Sequence, residues 1–287
     1  MKTIKLAVLS LFVVILGTQF VAAQGDVISA ADLSKKIKAK EQMTIVSVRK
    51  PSDFKKSHLQ NAVNIDLKKL ASDTEPKGIL KSPEELAKIL GKAGISGKGL
   101  IVIYDDGKMK YAGRFYWILK YLGVKDVKVL HRDLKKWQAA RLRVTKSPTP
   151  VKATTFTPNV DKSIYVDEAW MKAHYKDANV VLIDVRPPDD YHGTSTKPPS
   201  KGHIPGAKNM EYKKILKENG EFKSKAEIQN LANGVGATPD KTVILYCSSS
   251  TRAGIVYLAF KTILGLPNVK VYEGAYNEWV VNNPVEK

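Results

Sequence analysis

Short apolar segments alternate with longer amphipathic segments along most of the chain. Segments of four or five mostly apolar residues predict buried β-strands, and four of them lie at 45–48, 100–104, 182–185 and 242–246. Helical stretches are predicted in the segments between them, at 82–90, 112–122 and 253–264. This alternation is typical of an α/β protein with a mainly parallel sheet covered by helices, in which the strand ends carry the chemistry.

The second half of the chain repeats the first. In chain order, the corresponding segments are 45–49 and 182–186, 58–62 and 203–207, 100–105 and 242–247, 112–113 and 253–254, and Trp137 and Trp279. The spacing between the copies is nearly constant, and the largest insertion lies at 193–201. We therefore predict two similar domains, at 24–144 and 164–287, joined by an extended linker at 145–163 that holds three prolines.

The first 23 residues have the three-part layout of a cleaved secretory signal. Lys2 and Lys5 precede an apolar stretch at 6–17, and small residues follow at 21–23. The apolar stretch is too short to span a bilayer, and no other segment is long enough. We therefore expect a signal peptide at 1–23 and a mature protein that is periplasmic or secreted, without a membrane anchor.

The formal net charge of +19 could indicate a nucleic-acid partner. However, the lysines are scattered in pairs along the chain, without the interleaved aromatic residues of a base-stacking surface. We expect a solvated basic surface that attracts small anions and binds no nucleic acid.

Cys247 is the only cysteine, and it follows the predicted strand at 242–246 and precedes the helix at 253–264. The loop N–H groups, the positive end of the helix and Arg252 all favour the thiolate over the thiol. A lone cysteine is more often a small buried hydrophobe, but this loop position favours a reactive thiol. The first copy has Asp105 at the corresponding position, so only the second copy is expected to perform sulfur chemistry.

Residues that recur in both copies are best explained by structure. Trp137 and Trp279 close the two copies and are predicted to be core residues. His203 belongs to a turn motif that the first copy also holds in some form, at His58, so we predict a structural role for it rather than that of a base.

Four motifs in the second copy resemble those of the rhodanese family in its tandem form. They are Asp184-Val185-Arg186, the segment 202–207, the loop that begins at Cys247, and the segment 271–276 leading to Trp279. With the degenerate first copy they cover nearly all of the mature chain. The resemblance implies two tandem rhodanese-like domains, each a mainly parallel five-stranded sheet covered by helices on both faces, with an inactive first domain and a catalytic second domain.

The resemblance also implies a sulfurtransferase that carries a sulfane sulfur as a persulfide on Cys247. The expected donor is thiosulfate or a similar small anion, and the acceptor is cyanide or a thiol. No metal or organic cofactor is needed, and a monomer is expected. The candidate donor-binding residues are Arg186, Ser248, Ser249, Ser250, Thr251 and Arg252. A structural role is equally open for Arg186, and a surface ion pair is the alternative for Arg252.

The loop also leaves the choice of donor open. Members of the family that use 3-mercaptopyruvate employ a loop serine with a first-domain histidine and an aspartate, and Ser249, His58 and Asp53 are the residues available here. Ser250 stands where such loops often have glycine, so a positive φ there would strain the serine. The four residues between Cys247 and Arg252 favour thiosulfate or a polysulfide, and argue against a phosphatase of the related fold, whose loop needs five. A non-turnover exported sulfur carrier is the third alternative.

Overall fold

The computed structural model describes residues 25–76, 78–131 and 134–287. The predicted signal peptide at 1–23 lies outside these ranges. Within them, no helix is long and apolar enough to cross a membrane.

The first domain contains a five-stranded parallel sheet and a small antiparallel pair of strands. Its strands are β1 (Val27–Ile28), β2 (Met43–Ser47), β3 (His58–Leu59), β4 (Ala62–Asn64), β5 (Leu100–Tyr104), β6 (Val127–Leu130) and β7 (Val144–Thr145). Its helices are α1 (Ala30–Lys38), α2 (Pro51–Lys56), α3 (Pro83–Lys92), α4 (Lys110–Tyr121) and α5 (Leu134–Ala139). The sheet order is β1-β6-β5-β2-β4, and β3 pairs with β7.

The second domain repeats this architecture. Its strands are β8 (Tyr165–Val166), β9 (Val180–Asp184), β10 (Lys208–Asn209), β11 (Thr242–Tyr246) and β12 (Val269–Tyr272). Its helices are α6 (Glu168–His174), α7 (Pro188–Tyr191), α8 (Lys225–Gly234), α9 (Ala253–Leu258) and α10 (Ala275–Asn282). The parallel sheet has the order β10-β9-β11-β12-β8, so the predicted pair of five-stranded sheets is confirmed. The helix predicted at 253–264 is α-helical only to Leu258 and continues as a π-helix over Ala259–Leu264.

Successive side chains of each central strand lie on opposite faces of the sheet and pack into different hydrophobic cores. In β5, Val102 faces a core shared with α1 and α5, whereas Ile101 and Ile103 face a second core with α3 and α4. The second core continues without a break into the second domain, where it includes Val243 and Leu245 of β11. Both faces of each sheet are therefore covered, and the inner faces of the two domains share one apolar interior.

The duplication extends to individual hydrogen bonds. The amides of Asn64 and Asn209 each donate to two backbone carbonyls that flank the end of the neighbouring strand. The indole N–H groups of the two tryptophans have non-equivalent partners, since Trp137 donates to the preceding carbonyl of His131 and Trp279 donates to the following carbonyl of Pro284. Both tryptophans are buried, in agreement with the core role predicted for them.

The segment between the two domains packs against the first domain. Three of its N–H groups, those of Thr154, Asn159 and Asp161, donate to carbonyls of the first domain at 2.8 to 3.0 Å. Phe156 is buried in the shared core. The segment at 148–161 forms no helix or strand, and these hydrogen bonds hold it against the first domain.

Helices α4 and α9 cross at two glycines, which hold the domains together at short range. A Cβ at Gly113 would lie 2.5 Å from the Cα of Ile255, and a Cβ at Gly254 would lie closer than 3.0 Å to the carbonyl oxygen of Gly113. Only glycine fits at either position because the obstructing atoms are backbone.

We expect Gly254→Ala to lower the free energy of unfolding by about 1–3 kcal/mol, because the added methyl forces the two helices apart. Gly234→Ala is the matched control, since Gly234 ends α8 and a Cβ there meets nothing within 4 Å. That control should leave stability unchanged or raise it by up to about 1 kcal/mol. Urea unfolding of both variants measures the difference, and equal midpoints would contradict the close crossing.

Candidate active site

Cys247 lies directly after β11, at the edge of the sheet where the neighbouring strand β9 also ends. Tyr246 stands opposite Asp184 in the register of these two strands. The Cys247 side chain is 1% exposed, and its Sγ accepts the backbone N–H of Arg252 at 3.3 Å. The predicted strand-to-helix loop is therefore present, and its backbone turns toward the sulfur.

The start of α10 holds this loop from the other side. The N–H of Tyr276 donates to the carbonyl of Cys247 at 2.9 Å, and the N–H of Asn277 donates to the carbonyl of Ser248 at 3.0 Å. The segment after β12 thereby fixes the backbone of Cys247 and Ser248.

Ser250 adopts the left-handed backbone conformation that the glycine pattern suggested, with φ of 53°. Its side chain is fully buried, and its hydroxyl donates a hydrogen bond to the carbonyl of Tyr272. This bond ties the strained residue to the end of β12, which explains how serine is accommodated where glycine is usual. The hydroxyl is consequently occupied within the fold.

The other hydroxyl side chains of the loop are partly accessible. The hydroxyls of Ser249 and Thr251 lie 3.4 Å apart, and both residues line a cavity of about 180 Å³ between the domains. The first domain contributes Lys68, Tyr111 and Arg114 to the same cavity. The cavity lies beside the thiol loop, and its lining in the described part of the chain does not include Cys247 or Arg252.

The guanidinium of Arg252 faces Asp190 on α7. Its Nη1 lies 3.7 Å from the Asp190 carboxylate, and this nitrogen has no hydrogen-bond partner within the described residues. Arg252 therefore forms the ion pair that the sequence analysis gave as an alternative. Its Nη1 can still donate a hydrogen bond.

Arg186 is 1% exposed and makes only internal contacts. It forms a salt bridge with Asp184 at 2.6 Å, donates to the carbonyl of Gly202 at 2.8 Å, and stacks over the ring of Tyr276 at 3.7 Å. Of the two roles left open for Arg186, these contacts favour the structural one, because its Nε and Nη2 donors are already engaged.

Asp105 shows what the corresponding loop of the first domain binds. Its carboxylate accepts hydrogen bonds at 2.6 to 3.2 Å from four backbone N–H groups, those of Gly107, Met109, Tyr111 and Ala112. Burial raises the pKa of Asp105, and the N–H groups of Gly107, Ala112 and Met109 act in the opposite direction. The loop is thus a ring of backbone donors around one anion, here supplied by the chain itself.

The histidine proposed as a partner of Ser249 is bound elsewhere. The ring nitrogens of His58 contact the carbonyls of Phe54 at 2.8 Å and Ser147 at 3.1 Å. His203 is held in the same way, by the carbonyl of Tyr191 and the carboxylate of Glu286, which supports the structural role predicted for it. Asp53 forms a surface ion pair with Lys56.

A buried ion pair between the domains supports the site and was missed by the sequence analysis. Arg114 of α4 binds the carboxylate of Glu273 through two hydrogen bonds, at 2.6 and 2.8 Å. Glu273 directly follows β12 and also accepts the N–H of Leu80 at 3.0 Å. The same first-domain loop brings Gly78 so close that a Cβ there would lie 2.7 Å from the Cβ of Ser249. The first domain thus forms one wall of the site.

No group of three or more His, Cys, Asp or Glu residues is placed to hold a metal ion in the described part of the chain.

Comparisons with known proteins agree with this fold. The family model of the rhodanese-like domain matches residues 29–140 and 167–282. The chain is 32% identical to the sulfur carrier protein TtuD of Thermus thermophilus, over 80% of this chain and 85% of that protein. It is 30% identical to a thiosulfate sulfurtransferase of Pseudomonas aeruginosa, over 88% and 93%. The crystal structure of SseA from Escherichia coli, from work on 3-mercaptopyruvate enzymes, superimposes with a TM-score of 0.79 at 27% identity, covering 88% of this chain and 99% of SseA.

Proposed function

Because the chain belongs to the rhodanese-like family, in which its relatives are sulfurtransferases and sulfur carriers, we propose that it moves a sulfane sulfur from thiosulfate to cyanide or a thiol through a persulfide on Cys247. The observation that carries the proposal is the ring of N–H groups around Asp105 in the first copy. The equivalent loop of the second copy presents a thiol in place of that carboxylate.

The reaction that we propose has two displacements. The Cys247 thiolate attacks the outer sulfur of thiosulfate, the S–S bond of the donor breaks, and sulfite leaves with the bonding electrons. The outer sulfur of the persulfide then carries the negative charge and lies among the loop N–H groups. Attack by cyanide or a thiolate on this sulfur releases thiocyanate or a new persulfide and restores the Cys247 thiolate.

One feature favours thiosulfate over 3-mercaptopyruvate as the donor. His58 is bound inside its own domain, so Ser249 has no histidine partner in the described part of the cavity wall. Arg252 has an unused guanidinium nitrogen at the end of the loop, which suits the anionic group of either donor. We assign donor contacts to Ser248, Ser249, Thr251 and Arg252. We propose structural parts for Ser250, whose hydroxyl is bound to Tyr272, and for Arg186. We further propose that the protein acts as an exported monomer.

Intact-mass measurement of the protein tests this function. The protein is incubated with thiosulfate, and separately with 3-mercaptopyruvate, before and after addition of cyanide. We expect a gain of one sulfur with thiosulfate that is lost as thiocyanate forms. A gain of sulfur with 3-mercaptopyruvate alone would identify that compound as the donor. Loading of Cys247 without release of the sulfur to cyanide or small thiols would indicate a sulfur carrier. No gain with either compound would overturn the proposal.

A further inference from the structure

The carboxylate of Asp190 faces Arg252, the arginine at the end of the thiol loop. This carboxylate lies 3.7 Å from Arg252 Nη1, which is within ion-pair range but too long for a good hydrogen bond. The side chains are only partly exposed, at 25% for Arg252 and 17% for Asp190, so solvent screens the pair incompletely. A negative charge therefore faces the guanidinium that the proposed donor would need.

We infer that Asp190 determines how strongly the site binds anions, by competing with the donor and with the departing anion for Arg252. This inference rests on the proposed function. Asp190 forms an ion pair with the Arg252 guanidinium when no donor is bound. Its negative charge also repels a dianion that approaches Arg252 Nη1. The Nη1 atom that lacks a hydrogen bond is the one that an oxyanion would bind on displacing this contact.

Competition between Asp190 and the bound anion would speed the release of the product. Thiosulfate and sulfite are both small dianions, so a site that bound them tightly would also release the product slowly. The chain already attracts anions through its net charge of +19. A local carboxylate weakens binding where the product must leave, without reducing the attraction at longer range. Asp190 thus sets the affinity of the site for anions, and it acts through Arg252.

The chain offers a closely matched control on the same helix. Asp189 is exposed and has no ion pair in the described structure, whereas its neighbour Asp190 faces Arg252. Asp189→Asn and Asp190→Asn remove the same charge from α7 and differ only in this contact. Any effect of net charge alone is therefore common to both variants.

Alkylation of Cys247 measures anion binding without sulfur transfer, and the label is unambiguous because the chain has no other cysteine. The measured quantity is the ratio of the rates with iodoacetate, an anion, and iodoacetamide, its neutral analogue. We expect Asp190→Asn to raise this ratio about three- to tenfold and Asp189→Asn to change it by less than about twofold. Equal ratios in the two variants would overturn the inference.

Steady-state kinetics provide the second measurement. Asp190→Asn should lower the KM for thiosulfate and the inhibition constant of sulfite by about the same three- to tenfold factor. An unchanged KM and unchanged sulfite inhibition would reject the role of Asp190 while leaving sulfur transfer intact. If the wild-type protein forms no persulfide, the proposed function fails, and the alkylation ratio still decides whether Asp190 controls anion access.

Discussion

Replacing Arg114 with methionine should lower the free energy of unfolding by about 3–5 kcal/mol, because it leaves the Glu273 carboxylate buried without its partner. The two side chains are 5% and 1% exposed, and Arg114 donates two hydrogen bonds to Glu273. Because the pair joins α4 to the segment after β12, its loss should weaken the contact between the domains. Chemical denaturation of the full chain measures the effect.

A second variant separates the charge from the packing. In Arg114→Met with Glu273→Gln, no buried charge remains, and the glutamine oxygen can still accept the N–H of Leu80. We expect this double variant to recover most of the lost stability. Lys172→Met, which breaks an exposed pair with Glu168, should cost less than about 1 kcal/mol. A single Arg114→Met variant as stable as this surface control would contradict the structural role of the pair.

Replacing Cys247 with serine should reduce sulfur transfer at least about a thousandfold, since the hydroxyl is a much weaker nucleophile and cannot form a persulfide. The change is close to isosteric in a side chain that is 1% exposed, so the fold should survive. Thiocyanate release from thiosulfate and cyanide measures the loss.

Two control measurements show whether the loss of activity comes from the missing thiol. The thermal midpoint of Cys247→Ser should stay within a few degrees of the wild-type value, which separates lost chemistry from lost structure. The intact mass of the variant should not change on incubation with thiosulfate. Full transfer activity in a folded Cys247→Ser protein would show that the reaction does not pass through this thiol.

Local patterns were sufficient to predict the strands, the duplication and the thiol loop. The apolar segments at 100–104 and 242–246 are the central strands β5 and β11, because residues buried on both faces must be apolar. The position of Cys247 follows from the end of one strand and the start of the next helix. A positive φ at Ser250 was raised by the sequence only as a condition, and the structure gives this residue a φ of 53°.

The wall of the site could not be predicted because it depends on contacts between distant residues. Arg114 and Glu273 are separated by 159 positions, and neither lies in a pattern that marks an ion pair. Asp190 meets Arg252 only after α7 packs beside the thiol loop. The role of Arg186 was left open for the same reason, since its burial becomes known only when the segment around Gly202 folds over it.

The Asp105 carboxylate has a thermodynamic consequence for the whole molecule. In the first domain the ring of N–H groups is always filled by the Asp105 carboxylate, whereas the corresponding loop of the second domain holds the Cys247 sulfur and would receive an additional anionic sulfur only while the persulfide exists. A group that binds the folded state alone stabilises that state, so sulfur loading should protect the second domain against unfolding more than the first. The supply of donor would then set how long the protein survives heat or proteases, as well as how fast it turns over.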